Sequence, residues 1–196
     1  MEIKRIVNSV FTSNTFVLTE KEADWCWLVD VGDWEPILEA VGGRSIRGLF
    51  ITHTHYDHIY GINQIVNRYP DCVVYTSEKG KEGLYSDKLN FSRYHNDPIL
   101  FQGKHLRLLK EGDRVNLFPS VDLMVVETPG HDWSCLSYYT DQFVFTGDSY
   151  IPGIKVITSF PHSDKPLAVQ SLEKLLRLTK DVVSVRGITI VFDRYL

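Results

Sequence analysis

Apolar residues along this chain fall into short runs separated by charged or Gly/Pro-bearing turns, and the period of the runs alternates between that of strands and that of helices. Ile3 to Val10 and Thr15 to Val31 are rich in β-branched and aromatic residues. The second run is interrupted by Glu20-Lys21-Glu22, which predicts a hairpin. Gly32-Asp33 ends that strand, and Trp34 to Val41 reads as a short helix stopped by Gly42-Gly43. Gly48 to Thr52 has the look of a buried strand. Ile59 to Tyr69 then carries Ile62, Ile65 and Val66 at helical spacing until Pro70 closes it. A strand over Cys72 to Tyr75 and a helix near Glu78 to Leu84 precede a long polar-aromatic stretch, Tyr85 to Lys104. From Leu106 to Phe145 the pattern is mostly β, with turns at Glu111-Gly112-Asp113, Phe118-Pro119-Ser120 and Thr140-Asp141-Gln142. Leu167 to Leu178 returns to helix period, and Val182 to Phe192 reads as one or two closing strands. Interleaved strands and helices predict an α/β arrangement of layered sheets with outer helices.

No repeat, low-complexity tract or linker divides the 196 residues, so a single domain over residues 1–196 is expected. With 43% hydrophobic and 23% charged residues, the chain has enough apolar surface to offset the entropy of ordering it. A formal net charge of −4 without any basic run argues against nucleic acid or an anionic membrane as a partner. Met1 to Val10 lacks the apolar core of a signal peptide, and no apolar run reaches membrane-spanning length. Cys26, Cys72 and Cys135 stand far apart with no Cys-x-x-Cys pair and read as buried reduced thiols, in keeping with a cytoplasmic protein. Nothing in the pattern speaks to oligomeric state.

The chemistry-bearing residues gather at strand ends. Thr52-His53-Thr54-His55-Tyr56-Asp57-His58 lies where an apolar strand gives way to a helix. A turn there can aim alternate side chains at one point, and imidazole nitrogens with a carboxylate suit a borderline metal such as zinc. A polar loop with chance histidines is the competing reading. Against it stand Thr128-Pro129-Gly130-His131-Asp132 and Thr146-Gly147-Asp148, each placing a ligand-type side chain just past a strand. Adjacent Pro or Gly permits a tight turn there.

With these three motifs in this order, the chain closely resembles the metallo-β-lactamase superfamily, whose His-x-His-x-Asp-His signature stands here as His53 to His58. The resemblance extends from the N-terminal hairpins to the late helix containing Ser171-Leu172-Glu173-Lys174-Leu175-Leu176. It implies an α/β fold of four layers, an αββα sandwich, with metal held at one edge between the sheets. It also implies that His53, His55 and His131 hold a first ion, that Asp57 and His58 contribute to a second, and that Asp148 bridges them. His58 directly after Asp57 resembles the glyoxalase II branch and its small hydrolase relatives. The C-terminal helical domain with which glyoxalase II grips glutathione is not matched, so a glutathione thioester is only one candidate.

The function implied is metal-dependent hydrolysis of a small ester, thioester or amide through a metal-bound hydroxide, since a metal on three imidazoles brings the pKa of its water to about 7. Asp57 is the candidate catalytic carboxylate, orienting that nucleophile and moving its proton. Zinc is the expected cofactor, as one or two ions, with iron or manganese also compatible with these ligands. Two alternatives accompany it: an iron oxygenase resembling the persulfide dioxygenases of the same fold, and a non-catalytic binding or regulatory protein. The second is motivated by Arg186. Family members usually present a late Pro-Gly-His-Gly, and Ser184-Val185-Arg186-Gly187 stands in its place, so a guanidinium without a lone pair replaces a ligand and weakens the second site. His162, in Phe160-Pro161-His162, is a weaker substitute. In the long loop, Tyr94 and His95 are the candidate substrate-binding residues. Trp25, Trp27 and Trp34 read as core or sheet-facing residues, and Trp133 as either wall or core.

Overall fold

Large apolar residues at period two build two sheets. In the computed structural model, which describes the backbone of residues 1–186 and 189–191 and the side chains of residues 1–178, the first sheet has six strands in chain order. These are β1 (Glu2–Val7), β2 (Asn14–Thr19), β3 (Trp25–Val29), β4 (Ser45–Phe50), β5 (Val73–Thr76) and β6 (Leu106–Leu108). β1 to β3 form an antiparallel meander, and β3 to β6 run parallel. The second sheet contains β7 (Arg114–Phe118), β8 (Val121–Glu127), β9 (Leu136–Tyr139), β10 (Phe143–Phe145) and β11 (Thr189–Val191), ordered β11-β10-β9-β8-β7. The parallel strands need crossovers, which α1 (Trp34–Val41), α2 (Tyr56–Ile59), α3 (Ile62–Arg68) and α4 (Glu78–Leu84) supply.

Alternation sorts the side chains into three apolar layers. Phe16, Leu18, Trp27, Val29 and Phe50 meet Leu117, Leu123, Val125, Tyr138 and Phe145 between the two sheets. Their strand neighbours Val17, Cys26, Leu28 and Leu49 face the other way, onto Ile37, Val41, Ile59, Ile62 and Ile65 of the helices. On the far side Val126 and Val144 pack on Leu175 of α5 (Lys165–Arg186). Helix, sheet, sheet, helix is the four-layer order expected. A one-residue slip of β2 or β3 would exchange these faces, and each large apolar side chain so buried is worth about 1.5–3 kcal/mol, so the register is firmly set. Polar ties reinforce the sandwich: the indole N–H groups of Trp25 and Trp27 both donate to the Leu117 carbonyl at 3.2 and 2.9 Å, and the Tyr138 hydroxyl donates to the Ile51 carbonyl at 2.7 Å.

Two expectations need correction. The helix read over Ile59 to Tyr69 is two helices, broken at Tyr60-Gly61. There the chain leaves helical pairing to bond β3's continuation, with Val31 N–H donating to the His58 carbonyl at 2.9 Å. A Cβ on Gly61 would lie 2.2 Å from the Gly32 oxygen. The strand read from Val182 is also wrong at its start, because α5 runs on through Arg186, and among the described residues of that segment only Thr189–Val191 is extended. The valines there cost a helix only about 0.7 kcal/mol each or less. A helix already propagating from Lys165 absorbs them. Among the described residues no helix is long and apolar enough to cross a membrane.

Candidate metal centre

The histidines and acids converge because the strands that carry them end at one edge of the sandwich. His53 and His55 follow β4, Asp57 and His58 sit on α2, His131 follows β8, and Asp148 follows β10. All six are buried. Two of the turns require glycine. Gly130 has φ +137 and a Cβ there would stand 2.3 Å from the Ala168 Cα. Gly147 has φ +49 and its Cβ would meet Thr52 Oγ1 at 2.5 Å.

Two donor groups result: His53, His55 and His131, and His53, His58 and Asp148, each offering ligand atoms within 4.8 Å of one another. His131 Nε2 lies 3.0 Å from His55 Nδ1 and 3.5 Å from Asp148 Oδ2. His58 Nε2 lies 3.6 Å from both Asp148 Oδ1 and Asp57 Oδ2. Donors about 2.1 Å from a common ion in tetrahedral arrangement are about 3.4 Å apart, so these spacings are those of ligand polyhedra. Asp148 offers one oxygen to each group.

The surrounding hydrogen bonds decide which nitrogens carry lone pairs. The Asp30 carboxylate accepts from the Thr52 backbone N–H and hydroxyl, both at 2.7 Å, and from His58 Nδ1 at 2.9 Å. A carboxylate only accepts, so His58 is protonated at Nδ1 and turns an Nε2 lone pair inward. Burial pushes the Asp30 carboxyl above its ordinary value, and the His58 and Thr52 contacts offset this only in part. The Thr52 hydroxyl, having given its proton to Asp30, accepts from His53 Nδ1 at 3.2 Å. His131 Nδ1–H donates to the Ile157 carbonyl at 2.9 Å. His55 places Nε2 3.6 Å from Asp132 Oδ2, and Asp132 is itself held by the backbone N–H and hydroxyl of Ser134. His58, His53 and His131 are thus each oriented by a hydrogen bond at the outer nitrogen, as in metal sites generally, while His55 faces the Asp132 carboxylate without one. Burial lowers the His131 pKa below its ordinary value, outweighing the pull of Asp148, and so favours the neutral ligand form. With His55 protonated at Nε2, its Nδ1 lone pair faces that of His131 Nε2 at 3.0 Å, a contact that a cation between them would relieve. The residues therefore fit a divalent ion of borderline softness.

Above the donors opens a cavity of about 430 Å³, lined in part by His55, Asp57, His131 and Asp148 and also by Tyr94 and His95. The last two sit on the 3-10 turn Ser92–His95. There His95 stacks on Tyr56, with ring centroids 4.5 Å apart and planes at 9°, while the Tyr56 hydroxyl donates to Asp97 at 3.0 Å. Arg186 is the last residue of α5, and its side chain lies outside the described residues. Val182 and Val183, just before it, are helical and not the strand expected there. His162 stacks on Trp133 at 3.9 Å and belongs to neither donor group, and Trp133 does not line the cavity. Sequence reasoning did not single out Asp30, Thr52, Phe11, Phe91 or Phe160. The signal for Asp30 was an acid ending an apolar strand just before glycine-bearing Val31-Gly32, and its backbone sits at φ +53, unusual for a residue with a Cβ.

A four-layer sandwich with paired His/Asp donor groups at its open edge defines a metal-binding protein of the metallo-β-lactamase fold. A family model described as the metallo-beta-lactamase superfamily matches residues 9–187, and the chain belongs to that superfamily. Among solved structures, the BLEG-1 B3 metallo-beta-lactamase is similar at 25% identity and a TM-score of 0.80, over 90% of this chain and 87% of that one. TTHA1623 in a di-iron-bound form matches at 22% identity and TM-score 0.77, over 98% and 92%. ETHE1 from Myxococcus xanthus matches at 22% and 0.69, over 90% and 70%.

Proposed function

We propose that this protein is a metal-dependent hydrolase of a small ester, thioester or amide. The observation that carries the reading is the double donor group at one cavity floor, with Asp148 turning one carboxylate oxygen to His131 and the other to His58. A divalent ion held there supplies Lewis acidity and makes water nucleophilic near neutral pH. Asp57 lines the cavity beside His58, where its carboxylate can hold a water by hydrogen bond and take up its proton as a carbonyl is attacked. Phe91 and Phe160 flank His55, with ring centroids at 4.9 and 5.2 Å, and exclude bulk solvent from that side. A serine nucleophile finds no support. Ser149 donates its hydroxyl to the Thr128 carbonyl at 3.0 Å, Ser134 donates to Asp132, and both are buried.

The likeness to a B3 metallo-beta-lactamase supports hydrolysis, and zinc is the metal we favour. The di-iron form of TTHA1623 supports iron as the second choice. An iron oxygenase with a mononuclear centre would leave the His58 group without a purpose, so the second group favours the hydrolase. The test is metal content per chain of the purified protein, together with turnover of an ester, thioester and amide panel and oxygen uptake on a persulfide. Chelator-sensitive hydrolysis is expected. Full metal occupancy with no hydrolysis, or oxygen uptake on the persulfide, would overturn the reading.

A further inference from the structure

The walls of the cavity say what sort of group can rest there. They come from three separate segments: Phe11 from the turn between β1 and β2, Phe91 and Tyr94 from the loop after α4, and Ile157 and Phe160 from the segment before α5. Phe11, Tyr94, Ile157 and Phe160 are 55, 66, 44 and 40% exposed, an unusual concentration of large apolar surface in water. Phe11 (φ 50) and Phe91 (φ 65) hold left-handed backbone, which a side chain with a Cβ adopts at a cost, and such outliers cluster at ligand sites. The loop bearing Phe91 is nevertheless firmly held: Asn90 Nδ2 donates to the Gly83 and Ile99 carbonyls, both at 3.0 Å, and the Ile99 N–H donates to Ser92 Oγ at 2.8 Å. The Phe91 side of the wall is therefore preformed.

Charge on the wall is as informative. Among the described lining residues there is no lysine or arginine, and the acids, Asp57 and Asp148, belong to the metal centre. Lys155 lines a neighbouring crevice that shares His131, Asp148 and Ile157 and does not line the cavity itself. Among the described lining residues only imidazoles could serve an anionic group as a partner, so a carboxylate resting on the aromatic surface leaves water at a cost.

Building on the hydrolase reading, we propose that the part of the substrate remote from the scissile bond is an uncharged apolar group, aryl or short alkyl, seated between Phe11, Phe91 and Phe160. Neutral esters or thioesters are then the substrates, and those whose remote group bears a carboxylate are disfavoured. Glutathione thioesters, which carry carboxylates, fall in the disfavoured class.

Two measurements on the metal-loaded protein test this. The first compares kcat/KM for 4-nitrophenyl hexanoate and for the monoester 4-nitrophenyl adipate, which differ chiefly in a terminal carboxylate. Hydrolysis of either adds one water across the acyl bond and releases 4-nitrophenol. The neutral ester is expected to be preferred by about tenfold or more. Phe160→Ala should raise its KM about five- to tenfold and so narrow the preference for the neutral ester. The second is independent of turnover: calorimetric binding of butyrophenone and of 4-butyrylbenzenesulfonate, whose sulfonate is a poor metal ligand. Butyrophenone should bind about tenfold tighter, and Phe11→Ala and Phe160→Ala should each weaken it several-fold, with unfolding temperatures recorded to show that the variants fold. Equal or tighter binding of the sulfonate overturns the apolar subsite even if both esters are hydrolysed. Selective butyrophenone binding without hydrolysis of either ester removes the hydrolase reading and leaves the subsite standing.

Discussion

Asp30→Asn is the most informative single change in this protein because it alters no metal ligand and almost no volume. Asp30 accepts three hydrogen bonds: its Oδ1 takes the Thr52 N–H, and its Oδ2 takes the Thr52 hydroxyl and His58 Nδ1. An asparagine oxygen can keep the first of these, but an NH₂ then faces the other two partners. The Thr52 hydroxyl can rotate to accept. His58 can bond the new donor only by giving up its Nδ1 proton, which moves the hydrogen to Nε2 and removes the lone pair aimed at Asp57 and Asp148. Loss of an outer-shell partner of this type commonly costs 10- to 100-fold in metal affinity, so the His58 group should weaken by about that factor. The His55–His131 pair, oriented by Asp132 and the Ile157 carbonyl, should keep its ion. Folding should suffer too, by about 1.5–3 kcal/mol for one buried hydrogen bond to a charged group. The assays are ¹⁵N NMR of the His58 tautomer in metal-free protein, two-step metal titration and chemical denaturation. A variant whose His58 stays protonated at Nδ1, with unchanged metal affinity, would refute the argument that Asp30 sets the tautomer.

Three further outcomes are expected. His53→Ala should lose all tight metal binding, since His53 belongs to both donor groups, whereas His131→Ala should lose only the first and retain residual binding at His58 and Asp148; equal metal content in the two variants, by elemental analysis, would contradict the assignment. Asp57→Asn should keep metal and lose about 10²- to 10⁴-fold in kcat on an accepted ester, the usual contribution of a positioned base, and parent-like turnover would exclude that role. Removing metal with a chelator should lower the unfolding temperature, because the facing lone pairs of His55 and His131 lose their cation. Restoring zinc to 100 times its Kd should return about 2.7 kcal/mol of stability, and an unfolding temperature indifferent to metal would argue against a metal centre.

Much of this was legible along the chain. The boundaries of α1 and α4 match the sequence reading residue for residue, because Gly42 and the Ser77 cap, whose hydroxyl accepts from the Gly80 N–H, are local signals. The three His and Asp motifs were readable at strand ends, with His131 and Asp148 beside proline or glycine, and all of the predicted ligands except Asp57 fall in the two donor groups. The split between α2 and α3 was not, since it depends on Gly61 meeting Val31 and Gly32, about 30 residues earlier in the chain and so invisible to periodicity. The valines near the end of α5 misled in the opposite sense: local β preference is weak beside a helix already formed. By itself, then, the sequence determined the layered fold, through alternation and turn chemistry, and the identity of the residues that can hold metal. Only the tertiary structure decided how they act together. The tautomers of His58, His53 and His131 are set by Asp30, Thr52 and the Ile157 carbonyl. The character of the cavity is set by Phe11, Phe91 and Phe160, which lie far apart in the chain and meet only because both sheets and their loops close on one edge.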